Sequence, residues 1–434
     1  MILPRRTLCL LLLLSVGPAS AQESELTLER AIELALQRNV RSLSAEQRVK
    51  VAEARLSSAR AAFFPELTLA GSYTRRLYAV TRNIGGVETV ISSQNALGAN
   101  ASARMTLLDA RAFPLYSAAS HEQEATRLEA TEERRRVAFT AAEAFLGALT
   151  ADQVLAAAQR RSEFAQTSLR DAQSRFEAQL VSSNDVTKAR LELATAERER
   201  VRAQGERGAA YVTLSYVIAE EPLASLAQPQ QLLVQAGVVS AEVNMETARQ
   251  RRLDVAARQE RLKGLRSLAL EPLMRLLPTL NLSAQYRLTN DSGFNNRPDD
   301  GSATLELRWE LFDGGERYAV RRERLALAKI AELESVDLDR QLSAEVRTAQ
   351  VSVTSARGAL AQAQVAAEQA EKNAEEITIL YRQGLTSALE TANAGVQLFD
   401  AQVALAQERF GLALAFFDLR AALGLDPLGR EAQK

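Results

Sequence analysis

Apolar and polar residues alternate strictly along four short segments of this chain. The segments lie at about residues 66–80, 87–108, 279–289 and 302–312. In the third segment polar residues separate the members of an apolar series, which are Leu280, Leu282, Ala284, Tyr286 and Leu288. A period of two residues is typical of a β-strand with one apolar and one polar face. The turn-forming stretches TRNIGG and NDSGFNNRPDDGS would join these strands into two hairpins, at about 66–108 and about 279–312.

Two other segments have the composition of unusually long helices. Residues from about 115 to 180 and from about 316 to 383 contain no internal proline and little glycine. At ~1.5 Å per residue such a helix is a rod of about 100 Å, far longer than a globular domain needs. Each rod is followed by a return helix, at about 184–219 and about 388–423.

The second return helix carries two apolar stripes. One stripe repeats every seven residues and contains Leu398, Leu405, Leu412 and Leu419. The stripe beside it contains Phe399, Val403, Ala406, Phe410, Ala413 and Phe417. One such stripe pairs a helix with one neighbour, whereas two adjacent stripes give it a neighbour on each side, so these helices would form a wall. An antiparallel coiled coil without a lumen is the alternative.

Landmarks of the first half of the chain recur in the same order in the second half, which indicates an internal duplication. Three pairs of segments correspond: FFPELTL at 63–69 and LLPTLNL at 276–282, LLD at 107–109 and LFD at 311–313, RFEAQLVSSND at 175–185 and LYRQGLTSALE at 380–390. In both halves two short helical patterns precede the strands. The predicted divisions are a first repeat, an equatorial linker, a second repeat and a C-terminal tail, at 22–220, 221–240, 241–425 and 426–434.

The N-terminus has the features of a secretory signal peptide. Arg5 and Arg6 precede an apolar stretch that is too short to span a membrane as a helix, and small residues end it at Ala21. We expect cleavage after Ala21, which would remove residues 1–21 together with Cys9, the one cysteine of the chain. The exported protein would then have neither disulfides nor cysteine metal ligands.

A strand with one apolar face can cover a soluble core, but export and length favour a membrane location here. Each strand has about the ~10 residues that a membrane strand needs, and its polar face carries residues suited to a water-filled lumen. Tyr73, Tyr286 and Trp309 would be aromatic residues at the membrane interfaces. Four strands cannot close a barrel alone, because the smallest single-chain barrels have ~8 and open edges cannot face lipid. Two, three or four chains must therefore combine their strands.

Charge and chemistry point away from an enzyme. The net charge of −1 shows no basic surplus of the kind that nucleic-acid binders carry. His121 is the one histidine, so zinc sites and nucleophiles activated by histidine are disfavoured. Gly314 and Gly315 lack the spacing of a phosphate loop. We expect no catalytic residues, no cofactor and no bound metal.

The chain resembles the TolC-like outer-membrane efflux proteins over nearly its whole mature length. The resemblance is carried by WELFDGG at 309–315, the two proline-to-strand entries, and the turns RFEAQLVSSNDV and YRQGLTSALE. It implies a mixed α/β membrane protein in which a long α-helical periplasmic barrel joins a transmembrane antiparallel β-barrel. Each chain would supply four strands, and trimerisation would close the barrel.

The resemblance also implies a function. The trimer would be the passive exit duct of a tripartite efflux or type I secretion system, located in the outer membrane and reaching into the periplasm. Its partners would be a periplasmic adaptor, an inner-membrane pump of the RND or ABC type, and outer-membrane lipid. A periplasmic coiled-coil adaptor or structural rod without a pore is the alternative function.

In this family the inner end of the duct is closed by polar contacts between the two turns and by rings of carboxylates. The positions that correspond in this chain are Asp185, Tyr381, Thr386, Glu390 and Asn393. Thr386 stands where the family has an arginine, and Asn393 replaces a pore carboxylate, so hydrogen bonds would hold the gate. Both acids also suit the first turn of a helix, where a carboxylate is stabilised by ~0.3–1 kcal/mol, and capping is compatible with a pore role.

Overall fold

The computed structural model describes most of the chain, with gaps near its N-terminus, centre and C-terminus. The described residues are 25–222, 225–230, 232, 234, 245–291 and 297–430. The predicted signal peptide lies outside them, as do parts of the predicted linker, of the loop NDSGFNNRPDDGS and of the tail.

Two helices open the described chain, because two polar side chains cap them in succession. Helix α1 (Leu28–Arg38) begins after Thr27, whose hydroxyl accepts a hydrogen bond from the backbone N–H of Arg30. Helix α2 (Val40–Ala61) begins after Asn39, whose side-chain oxygen accepts from the N–H of Arg41. Side-chain acceptors of this kind satisfy N–H groups that have no partner within the helix.

A four-stranded antiparallel sheet follows from the alternating segments. Its strands are β1 (Glu66–Arg75), β4 (Asn95–Leu108), β5 (Thr279–Thr289) and β6 (Asp299–Arg308), in that spatial order. The central pairing of β4 with β5 joins the two halves of the chain. Strands β1 and β6 therefore form the edges of the sheet, each with one side unpaired in the described protomer.

The register brings the apolar positions of all four strands onto one face. Leu67, Ala103, Ala284 and Ala303 form one continuous row across the sheet. The next row, which points to the opposite face, consists of Thr68, Ser102, Gln285 and Ser302. Since adjacent residues of a strand point to opposite faces, the sheet has one apolar and one polar surface, as the alternation predicts.

Several predicted strand features differ from the structure. Strand β1 ends at Arg75 rather than 80, and β4 begins at Asn95 rather than 87. TRNIGG is not a plain loop, because β2 (Val80–Ile84) and β3 (Val87–Ser92) form a separate small hairpin around Gly85 and Gly86, both with positive φ. Strand β6 begins at Asp299 rather than 302, because β5 extends far enough to pair with Asp299. It ends at Arg308 rather than 312, because its partner begins at Thr279, directly after Pro278. Trp309 thus lies just beyond the strand.

Two long helices leave the sheet. Helix α3 (Ala112–Glu177) begins three residues before the predicted position, because Pro114 lies in the first turn, where its missing N–H costs nothing. Helix α8 (Glu316–Arg382) begins after Gly315, whose φ is 92°. The Asp313 carboxylate accepts from the N–H groups of Gly315 and Arg317 at 3.0 and 2.9 Å, so LFDGG builds the turn from strand to helix.

The long helices and their return helices lie side by side in one row. Helix α4 (Ser183–Ile218) packs on α3, and helix α9 (Ala388–Ala422) packs on both α3 and α8. The row therefore runs α4, α3, α9, α8. Helix α9 thus has a neighbour on each side, as its two apolar stripes predict. The end helices α4 and α8 carry exposed apolar side chains, among them Leu191, Val201, Val212, Ile330, Leu333 and Val336.

Three shorter helices and α2 cover the part of this row that lies next to the sheet. They are α5 (Met245–Arg251), α6 (Leu253–Leu268) and α7 (Glu271–Met274), and α6 contacts both α3 and α8. The main core lies where α1 packs on α3 and α4, and its largest fully buried side chains include Phe145, Phe417, Leu214, Ile218 and Leu342. Within the described ranges, no helix combines the length and the apolar character needed to cross a membrane.

Candidate functional site

Two turns of the same construction lie at the end of the helices that is remote from the sheet. In the turn from α3 to α4 Gln179 has φ 59°, and in the turn from α8 to α9 Gly384 has φ 78°. The N–H of Leu180 donates to the carbonyl of Arg175 at 2.9 Å, and Leu385 donates likewise to Leu380 at 2.9 Å. This geometry satisfies helix-end carbonyls and requires a left-handed residue.

Gln179 and Gly384 both have a left-handed backbone, but Gln179 also carries a side chain. We expect Gln179→Gly to stabilise the first turn by roughly 1 kcal/mol, because glycine has no Cβ to clash with the backbone. The matched change, Gly384→Ala, should destabilise the second turn by a similar amount, since open space around Gly384 leaves backbone strain as the main cost. Thermal unfolding of detergent-extracted protein measures both shifts, and shifts of the same sign would contradict the expectation.

The two predicted acids cap the helices that follow the turns. The Asp185 carboxylate accepts from the backbone N–H and the hydroxyl of Ser182, at 3.1 and 3.0 Å. The Glu390 carboxylate accepts from the N–H of Ser387 at 3.2 Å and from the Thr386 hydroxyl. The bond from Thr386, followed by that from Ser387, lowers the pKa of Glu390 below its usual value. Both carboxylates therefore bind their own helix starts.

Tyr381 lies inside the wall rather than on its surface. Its side chain is 5% exposed, and its hydroxyl has no hydrogen-bond partner among the described residues. A cavity of about 20 Å³ adjoins it, lined by Phe164, Glu192 and Thr391 among others. Burial raises the pKa of the Tyr381 hydroxyl above its usual value, the charge of Arg175 opposes the rise, and Asp185 adds to it.

The predicted gate residues are thus near one another but are not all bonded together. The charge of Asp185 adds to the rise in the pKa of Tyr381, but the two residues share no hydrogen bond. The Asp185 carboxylate accepts from Ser182, and the Tyr381 hydroxyl has no hydrogen-bond partner among the described residues. Asn393 is exposed on α9. Thr386 bonds to Glu390 within its own turn. Their role in a gate stays a prediction.

Arg175 is a residue of this site that the sequence patterns do not reveal. Its Nη2 donates to the carbonyl oxygen of Arg382 at 2.9 Å, and its Cζ lies 4.5 Å from the centre of the Tyr381 ring. The side chain therefore connects the end of α3 to the end of α8. An arginine in the last turn of a helix is common, so the sequence around Arg175 does not distinguish it. Its hydrogen bond to Arg382, 207 residues further along the chain, is visible only in the structure.

The aromatic residues predicted for the membrane interfaces lie at different heights on the sheet. Tyr73 lies near the end of the sheet that is remote from the long helices. Trp309 lies near the end that joins the long helices, where its Nε1 donates to the Leu276 carbonyl at 3.0 Å. About 12 residue rows separate them, or roughly 40 Å, which a strand tilt of about 40° reduces to roughly 30 Å. Tyr286 is about four rows from Tyr73. Their membrane role also stays a prediction.

An open sheet with one apolar face, continued by a wall of very long helices, defines the protomer of a membrane channel. The chain belongs to the outer membrane efflux protein family, whose model matches residues 31–220 and 244–425. It is 26% identical over 323 residues to Protein CyaE of Bordetella pertussis, a match that covers 71% of this chain and 67% of the relative.

Solved structures show the same fold. The crystal structure of a membrane protein from Pseudomonas aeruginosa has a TM-score of 0.80 and 19% identity, with 92% of each chain covered. The Campylobacter jejuni CmeC outer membrane channel has a TM-score of 0.78 and 17% identity, with 94% of this chain and 87% of CmeC covered. The predicted family, fold class and function are confirmed, and the chain is an efflux channel protein of the outer membrane.

Proposed function

We propose that three copies of this chain form a passive duct that runs from the periplasm through the outer membrane. The proposal is carried by one observation: both the sheet and the row of helices have two uncovered sides in the protomer. Strands β1 and β6 each have one side unpaired in the described protomer, and the end helices α4 and α8 have exposed apolar side chains. Unpaired strand edges are costly in lipid, so copies that pair β6 of one with β1 of the next satisfy both edges.

Closure by three copies gives a barrel of twelve strands with its apolar surface toward lipid. The polar rows would then face the lumen, which admits water and polar cargo. The helix rows would continue the wall into the periplasm. Transport energy would come from an inner-membrane pump of the RND or ABC type. The duct would reach this pump through a periplasmic adaptor that binds the end of the helices remote from the sheet. The duct itself would act without a cofactor and would catalyse no reaction.

The migration of detergent-extracted protein on a gel tests the trimer. Unheated samples should run as a trimer, and boiled samples should run as the single chain, because closed membrane barrels resist detergent until heated. Sequencing the N-terminus of the same material should give Gln22 as its first residue. Recovery of a stable monomer from the periplasm without detergent would contradict the duct.

The two capping acids are candidates for the charge of the pore. Threefold repetition would place three copies of Asp185 and three of Glu390 near one axis, which favours cations over anions. We expect the double variant Asp185→Asn with Glu390→Gln to lower the cation selectivity of single channels in planar bilayers. These amides keep an oxygen that can accept the cap bonds, so the turn should persist.

A charge change away from the turns controls for this prediction. Glu368→Gln removes an exposed carboxylate on α8 that pairs with Lys372 of the same helix at 2.7 Å. Its channels should keep the selectivity of the unaltered protein. If the double variant also keeps that selectivity, the two acids cap helices only.

A further inference from the structure

The two edge strands of the sheet have unpaired backbone groups at matching positions. Just beyond β1, the N–H of Arg76 donates to the carbonyl of Gln94, so even-numbered residues of β1 point their backbone groups toward β4. The N–H of Thr289 donates to the carbonyl of Pro298, so even-numbered residues of β6 point theirs toward β5. Backbone groups alternate between the two sides of a strand, so odd-numbered residues of both strands point theirs away from the sheet. A second copy can therefore pair only by setting odd-numbered residues of β1 opposite odd-numbered residues of β6.

The edge strands are equal in length and carry opposite charges at the ends that would meet. Each has ten residues, β1 from Glu66 to Arg75 and β6 from Asp299 to Arg308. In an antiparallel pair with full overlap, Glu66 lies opposite Arg308 of the neighbouring copy. Arg75 then lies opposite Asp299 at the other end. All four residues are exposed in the protomer, and opposite charges directly across a strand pair stabilise it.

A shift of this pairing brings like charges together. The smallest shift that keeps each face on its own side is two residues. In one direction it places Glu66 opposite Glu306 and Arg75 opposite Arg297, and in the other it places Glu66 opposite Glu310. Like charges directly opposite each other destabilise a strand pair, so the fully overlapped register is favoured over both neighbours.

Full overlap also gives the closed barrel an ordinary strand tilt. The row of Leu67, Ala103, Ala284 and Ala303 crosses one copy, and full overlap continues it at Gly71 of the next. The row thus rises four residues along β1 for every four strands, which corresponds to a tilt of ~35°, within the range of membrane barrels. A rise of two residues gives ~19°, which is too shallow, and a rise of six gives ~46°, at the top of that range.

The apolar face fits the same register. Full overlap places Gly301 of one copy opposite Tyr73 of the next, while Tyr286 already lies beside Gly301 within the sheet. A Cβ on Gly301 would lie 3.3 Å from the Tyr286 ring, so the glycine leaves room for aromatic side chains on this face. Aromatic residues that cover a glycine on the neighbouring strand are one device that fixes the register of a sheet.

We propose that neighbouring copies of this chain join through β1 and β6 in the fully overlapped register, which the pairs of Glu66 with Arg308 and of Arg75 with Asp299 select. The proposal rests on the trimer described above. The first pair would lie on the polar face near the long helices, and the second at the opposite end of the strands. Each seam between copies would thus be fixed at both ends.

Disulfide formation between copies tests the register in a chain whose one native cysteine is replaced by Cys9→Ala. Ala70→Cys with Thr304→Cys places two cysteines directly opposite each other, where the Cα atoms of such pairs are about 4.5 Å apart and can be bridged. Ser72→Cys or Thr68→Cys, each with Thr304→Cys, reports one of the shifted registers. After oxidation, the first combination should give about fivefold more linked trimer than either other, on a gel of boiled samples without reductant.

A charge exchange tests the pair at the end remote from the helices. Within its own sheet Arg75 faces Asn95 and Asp299 faces Leu288, so neither change creates a like-charge pair there. Arg75→Asp should lower the ratio of heat-modifiable trimer to single chain by about fivefold, and adding Asp299→Arg should restore it. Equal ratios for the single and double variants would overturn the charge pair.

The cysteine experiment separates failure of the register from failure of the duct. Trimers that link best through a shifted combination would overturn the register and leave the duct standing. Trimers that link through none of the three combinations would overturn the proposed seam. Failure of the unaltered chain to form trimers would overturn the duct as well.

Discussion

Arginine in place of Ala284 is expected to destabilise the membrane sheet by about 2–4 kcal/mol, the cost of an arginine on the lipid face of a barrel near mid-membrane. Ala284 belongs to the row of Leu67, Ala103 and Ala303, which lies about midway between the rows of Tyr73 and Trp309. The guanidinium would have to leave water for hydrocarbon. Loss of the heat-modifiable trimer from the outer-membrane fraction measures the effect.

The neighbouring residue provides the control for this prediction. Gln285 follows Ala284 in β5, so its side chain lies on the opposite face, beside Ser102 and Ser302. Gln285→Arg would place the same charge in the lumen, where water solvates it, and the trimer should form. Equal losses for the two variants would show that the apolar face does not meet lipid.

Alanine in place of Arg135 is expected to destabilise the fold by about 3 kcal/mol or more, because the buried Glu132 carboxylate loses both of its hydrogen bonds and keeps only Arg136, 3.7 Å away, as a partner. The side chains of Arg135 and Glu132 are 7% and 6% exposed and are joined by bonds of 2.9 and 2.6 Å. Arg135 also donates to the carbonyls of Ala421 and Leu425, both at 3.0 Å, so it fixes the end of α9 to α3. Thermal unfolding in detergent measures the loss.

Arg134 is the matched position, one residue earlier on α3. It pairs with Glu46 on the surface of α2, and both side chains are exposed. Surface pairs contribute about 0–1 kcal/mol, so Arg134→Ala should change the unfolding temperature little. If Arg135→Ala were as mild as Arg134→Ala, the buried pair would not hold the two helices together.

The sequence predicts those parts of the fold that local periodicity determines. Alternation identifies which residues of each strand lie on the apolar side, and this excludes pairings of β4 with β5 that are shifted by one residue from the observed register. The absence of proline and the scarcity of glycine place both long helices within a few residues of their observed ends. Each of these features depends on residues close together in the chain.

What the sequence does not predict depends on contacts between distant residues. The separate hairpin of β2 and β3 is not predicted, because TRNIGG has the composition of a loop and residues 87–92 continue the alternation of the segment 87–108, so the pattern does not show that a new strand begins at Asn95. The contact of Arg175 with Tyr381 is not predicted, because it forms only when the ends of α3 and α8 come together in the folded chain. The burial of the Tyr381 hydroxyl is likewise a result of packing by three other helices.

The unpaired edges of the sheet have a genetic consequence. A chain whose β6 cannot pair would still offer an intact β1 to normal copies, and the assembly that it joined could not close. Expressed beside the normal gene, such an allele should therefore be dominant. A chain that fails to fold before meeting its partners should be recessive, so mixed expression distinguishes edge defects from folding defects.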